Sequence, residues 1–145
     1  MNVVAHLVVP QRVANSLLDR VFACENKAKQ LSAALDFLEN TIAEFSLPIG
    51  DAYGLMLLEN TIDMLTMHPF VHVKTSGTTY YETGCGSGTI CVGLVSCILQ
   101  GGNVKLPLVQ PSGKTITAEA GTDSAGAWGK ISGAVDIGEI FDVVI

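Results

Sequence analysis

Apolar and polar positions follow several rhythms along the chain, and each predicts a different element. Val3 to Val9, broken only by His6 and closed by Pro10, is a β-branched run that reads as a buried strand. From Val13 to Phe45 the rhythm is helical. Leu17, Val21, Ala28, Leu31, Leu35, Leu38 and Ile42 recur at helical spacing, with charged residues between them. Asn15 or Ser16 are candidate caps for its first turn, and Ser32 for a second helix restarting after Cys24-Glu25-Asn26. Ala52 to Glu59 is apolar almost without a break, which predicts a strand covered on both faces. Gly54 inside it allows a bulge or the close approach of another group. Asn60 to His68 reads as an irregular or helical connection closed by Pro69. Phe70 to Lys74 and Thr78 to Glu82 read as strands on either side of a Ser76-Gly77 turn.

Ser87 to Gln100 is apolar around nearly its whole circumference, the pattern of a central, buried helix, and Gly101-Gly102-Asn103 closes it. The remainder is β in character. Val104 to Val109 and Lys114 to Glu119 flank the hairpin turn Pro111-Ser112-Gly113, and Ala127 to Ile131 and Val135 to Ile145 add two strands after a polar loop from Gly121 to Gly126. These elements predict one α+β domain over residues 1–145, with a mixed or antiparallel sheet wrapped around a central apolar helix and a helical insertion.

Composition narrows the function. The 145 residues are 48% hydrophobic and only 15% charged, with a mean hydropathy of +0.42, and so sparse a charge complement implies a face covered by a partner. A net charge of -6 and scattered basic residues argue against nucleic acid. No apolar run reaches the roughly 18 residues of a membrane span, and the start carries no basic region ahead of an apolar core. These features predict a soluble, cytoplasmic protein. Cys24, Cys85, Cys91 and Cys97 include no Cys-x-x-Cys pair and the histidines lack ligand spacing, so free thiols are expected and no metal site.

Candidate chemistry concentrates in Tyr81-Glu82-Thr83-Gly84-Cys85-Gly86-Ser87-Gly88-Thr89, a strand end and glycine-rich turn running into the apolar helix. The first amides of a helix have no partner within it and carry partial positive charge. Gly86, Ser87, Gly88 and Thr89 are therefore expected to present amides to a small anion such as a carboxylate. The same field favours a thiolate, so a lowered pKa is expected at Cys85. The run fits neither the Walker pattern nor the dinucleotide fingerprint. A buried structural cysteine at a tight helix start is the alternative reading of the same residues.

The run from Glu82 to Thr89, the helix after it, and Leu108-Val109-Gln110-Pro111-Ser112-Gly113-Lys114 resemble the C-terminal half of cofactor-independent amino-acid racemases of the diaminopimelate epimerase fold. Among these the chain looks closest to the histidine racemases of opine-metallophore pathways. Val4 to Pro10 resembles that family's histidine-bearing strand, and Gly54 to Leu57 its later apolar strand. The resemblance implies two similar half-domains facing each other across a cleft, no cofactor, and one cysteine from each half acting on opposite faces of an amino acid's Cα. Carried over, it makes Cys85 the catalytic acid/base, Gly86, Ser87, Gly88 and Thr89 the substrate-carboxylate cradle, and Glu82 and His6 supporting groups.

The chain departs from the family in holding one such turn: Cys24, the only cysteine upstream, has no glycine turn beside it. One thiol cannot run two-base inversion, so the chain is expected to be inactive without a missing N-terminal half-domain or a second, facing copy. The alternative is a non-catalytic amino-acid or small-anion binding module, a relic half-domain.

Overall fold

The computed structural model describes residues 4–135. The expected strand from Val135 to Ile145 lies almost wholly outside them. The described residues form ten elements: β1 (Val4–Val9), α1 (Gln11–Phe22), α2 (Lys27–Phe45), β2 (Ala52–Thr61), β3 (Met64–Val73), β4 (Thr78–Tyr81), α3 (Gly86–Gln100), β5 (Val104–Val109), β6 (Thr115–Asp123) and β7 (Gly126–Gly133). Together they make an α+β fold around one mixed seven-stranded sheet, in the order β1-β2-β3-β5-β6-β7 with β4 paired to β3.

Two pairs are parallel, β1 with β2 and β3 with β5, and the rest are antiparallel. Parallel neighbours need a crossover, and here helices supply it. The α1–α2 insertion connects β1 to β2, while β4 and α3 lie between β3 and β5. The two crossovers lie on opposite faces of the sheet. Leu17, Leu18, Val21, Ala34 and Leu38 bury one face of β2 through Tyr53, Leu55 and Leu57. Val92 and Cys85, with Met67 and Val71 of β3 and Leu108 of β5, cover Met56 on the other. That is the physical content of the unbroken apolar run in β2, since alternate side chains enter two different cores.

The helix α3 contacts β1 and β7, the strands at the two ends of the sheet, as well as β2, β5 and β6. Small residues let it approach closely: a Cβ on Gly93 would meet that of Ala118 at 2.9 Å, and one on Gly129 would meet Ile90 Cγ2 at 2.9 Å. The helix is nevertheless not buried all round as expected. Its buried residues Gly88, Thr89, Val92, Gly93 and Cys97 form a stripe, while Ile98 and Leu99 remain 74% and 80% exposed. A sheet covers the side of a helix that it meets, so apolarity around the circumference does not by itself produce enclosure.

Several expected boundaries also move. Asn60 to His68 is no irregular connection: β2 runs to Thr61, β3 starts at Met64, and the two pair as a hairpin. Pro69 lies inside β3, in a gap on its far edge between Leu65–Thr66, paired with β5, and Phe70–Val73, paired with β4. A strand tolerates proline where no ladder bond is required. The helix α1 begins at Pro10, whose carbonyl accepts from Val13 and Ala14, rather than at Asn15 or Ser16. Asn26, not Ser32, caps α2 by accepting from the Ala28 amide at 2.8 Å. The expected loop from Gly121 to Gly126 is mostly strand, since β6 continues to Asp123 and pairs with Gly126 of β7.

Candidate active site

Cys85 is the N-cap of α3, in extended backbone with φ -129° and ψ 102°. Its carbonyl accepts from the Thr89 amide at 3.0 Å and from Thr89 Oγ1 at 2.6 Å, and its Sγ accepts from the Gly88 amide at 3.3 Å. The glycine is needed there, because a Cβ on Gly88 would collide with Met56 Sδ and press on the cysteine sulfur. Glycine and serine after the thiol thus let the chain wind into a helix against β2 without a side chain in the way.

The cap is tied to the β5–β6 hairpin by Gln110, which is 1% exposed. Gln110 Oε1 accepts from the Cys85 amide at 3.0 Å, and Nε2 donates to Leu108 O at 3.2 Å and Thr89 Oγ1 at 3.4 Å. The Thr83 carbonyl accepts from the Ser112 amide at 3.0 Å, so the turn before the thiol is fixed to the same hairpin. The Gln-Pro-Ser-Gly run was visible in the sequence as a turn. The role of Gln110 was not, although an amide side chain ending an apolar strand is a signal of a buried polar partner.

His6 and Glu82 converge on the same place. His6 Nε2 lies 2.9 Å from Ser87 Oγ, and Ser87 Oγ lies 3.6 Å from Cys85 Sγ. Glu82, whose amide donates to Pro69 O at 3.0 Å, brings a carboxylate near the thiol, where it disfavours a thiolate. Of the expected cradle, the Gly88 and Thr89 amides are spent on Cys85 itself, whereas those of Gly86 and Ser87 have no partner among the described residues. Cys91 and Cys97 lie further along the helix, and Cys97 belongs to a separate apolar cluster with Val104 and Ala120. Among the described residues no group of three His, Cys, Asp or Glu side chains could hold a metal ion.

The electrostatics differ from the expectation. Cys85 is 4% exposed, packed with Met56, Met67, Val71, Val92 and Leu108. Burial, followed by Glu82, pushes its thiol up to about 11, against the lowering by the Ser87 hydroxyl and the Gly88 amide. A helix terminus lowers a thiol pKa only when the charge it stabilises is not stripped of solvent at the same time. The thiol is therefore protonated at neutral pH. Burial also lowers the pKa of His6, opposed by the Glu82 charge, which leaves the imidazole neutral.

Comparison with known proteins identifies the chain at the level of family. Residues 15–139 match the family described as the histidine racemase CntK N-terminal domain. The chain belongs to that family. A curated histidine racemase from Fusobacterium nucleatum is 34% identical over 71 residues, covering 48% of this chain and 24% of that protein. The aligned stretch thus spans about a quarter of the relative's length. The matched family is an N-terminal domain, whereas the Cys85 turn had pointed to a C-terminal half, and the comparison does not support that placing. No helix among the described residues is long and apolar enough to cross a membrane.

Proposed function

We propose that this chain supplies one half of the active site of a cofactor-independent amino-acid racemase, contributing Cys85 as an acid/base and the free amides of Gly86 and Ser87 to the substrate carboxylate. The observation that carries the reading is that the Gly88 amide and the Ser87 hydroxyl meet one sulfur at the start of α3, with His6 bonded to that hydroxyl and the Glu82 charge near the thiol. The contacts of α3 with both ends of the sheet support a half-domain of the diaminopimelate epimerase type. Histidine is the first substrate to try, from the name of the family and of the Fusobacterium relative.

The chemistry requires two groups on opposite faces of Cα. A thiolate removes the Cα proton, the electron pair left behind delocalises into the carboxylate, and a thiol on the other face returns a proton to carbon. Helix amides near the carboxylate stabilise the charge that accumulates there. Held protonated, Cys85 is suited to the donating role, and after one turnover it is the thiolate for the reverse direction. The second thiol comes from a partner half-domain or from a facing second copy of the chain. Because the two halves exchange acid and base roles, this scheme holds whether the chain is the N-terminal or the C-terminal one.

The burial of Cys85 favours a second reading, a module that binds an amino acid or small anion without chemistry. Deuterium incorporation at Cα of histidine and other amino acids in D2O separates the two. It is measured by NMR on the chain alone and with the remainder of a family racemase. Exchange that Cys85→Ala reduces by about 100- to 10,000-fold, the usual weight of a positioned acid/base, supports the racemase. Binding without exchange in every assembly supports the module.

A further inference from the structure

His6 presents an unusual pair of ring nitrogens. Nε2 is bonded to Ser87, but Nδ1 is buried and has no partner among the described residues. The ring packs against the backbone of β2, where His6 is in register with Gly54, and a Cβ on Gly54 would lie 2.6 Å from Nδ1. A neutral imidazole carries one proton, and the site decides which nitrogen has it. An N–H buried without an acceptor is rarer and costlier than a bare acceptor nitrogen. The proton therefore resides on Nε2, where Ser87 Oγ can accept it. With its oxygen accepting from His6, the Ser87 hydroxyl keeps its own proton to donate, and Cys85 Sγ is the acceptor 3.6 Å away.

We propose that His6, Ser87 and Cys85 form a directed hydrogen-bond relay, Nε2–H to Oγ and O–H to Sγ, and that Gly54 keeps it in register by admitting the imidazole. His6 and Ser87 are positioning residues that aim a second donor, beside the Gly88 amide, at the sulfur where thiolate charge develops. The groups facing the sulfur set the balance. Glu82, in the turn before α3, opposes the thiolate, and His6 on β1 acts through Ser87. Met56, Met67, Val71 and Leu108, from β2, β3 and β5, are apolar. Removing the relay leaves one donor against a carboxylate and full desolvation.

The inference rests on the reading of Cys85 as an acid/base, and its test does not depend on turnover. The full chain with 13Cβ-labelled cysteine is titrated by NMR beside Ser87→Ala, His6→Gln and Gly54→Ala, and 15N spectra of the imidazole report the tautomer. The expected result is a proton on Nε2 of His6, a Cys85 midpoint raised by about one pH unit in Ser87→Ala, the weight of a hydrogen bond to a charged group, and a smaller rise in the other two. Ser87 is exposed, so its variant folds even where Gly54→Ala does not. A proton on Nδ1, or a Cys85 midpoint unmoved in Ser87→Ala, overturns the relay. If the midpoints move as expected and no assembly exchanges Cα deuterium, the relay stands and the racemase reading falls.

Discussion

The two faces of the sheet at its β1–β3 end each bury an apolar cluster but treat polar groups in opposite ways. On the α1/α2 face the core is Leu17, Leu18, Val21, Leu38, Leu55, Leu57 and Phe70, and the polar atoms stay at its margin with partners. Tyr53 donates to Glu39 at 3.0 Å, and His68 has Tyr81 at 2.8 Å on one nitrogen and Glu59 at 3.1 Å on the other. On the α3 face a thiol lies among methionines, the imidazole nitrogen nearest β2 has no partner, and Thr89 and Gln110, the buried polar side chains of the described residues, are both within the thiol turn's network. Buried polar atoms reduce stability unless every one is satisfied. The α1/α2 face is built to hold the sheet, and the α3 face gives up some of that to hold a sulfur in place.

Substitutions on the two faces are expected to separate stability from thiol chemistry. Leu55→Ala, on the α1/α2 face and fully buried, should cost about 2–5 kcal/mol of unfolding free energy in urea titration. It should leave the Cys85 midpoint where it was; a matching shift of that midpoint would mean that the faces are not independent. Gln110→Ala is expected to cost less, about 1–3 kcal/mol, because it strands the buried Cys85 amide. It should also alter the Cys85 titration, since the cap loses its tie to the hairpin. A Gln110 variant with lower stability and an unchanged thiol would place that residue with the scaffold alone.

The remaining effect appears only in alkali. Cys85 is raised from 9.0 to about 11 in the fold. Between those values the unfolded chain has released the thiol proton and the folded chain still holds it, so stability present below pH 9 is lost as pH rises towards 11. Tyr53, raised from 10.0 to about 12 by burial and Glu39, acts in the same direction over a higher window. Cys85→Ala should therefore flatten the fall in urea midpoint from about pH 9 to 11, and Tyr53→Phe the fall from about pH 10 to 12. Loss of stability that persists in the double variant would assign the alkaline transition to other groups.

Local rules made much of this molecule legible beforehand. The break at Cys24-Glu25-Asn26, the two-faced burial of β2, the helix starting at the thiol and the glycine that ends it at Gly101 all follow from periodicity, turn chemistry and capping within a few residues. The juxtaposition of His6 and Glu82 with Cys85 came from resemblance rather than from spacing. The hairpin across Ile62-Asp63 was missed because Pro69 argued against a strand. What excuses it is the pairing of the strand's other edge, a property of the sheet.

The sequence by itself determined that a thiol would cap an apolar helix, because that depends on a glycine-rich turn and the first helical amides. Only the tertiary structure decided the state of that thiol. Its sulfur is enclosed by residues from β2, β3 and β5, its amide is held by a side chain 25 residues away, and its hydroxyl neighbour meets an imidazole 81 residues distant. Helix polarity is a local field that composition reveals, whereas desolvation depends on which surfaces meet, and at Cys85 desolvation is the larger of the two.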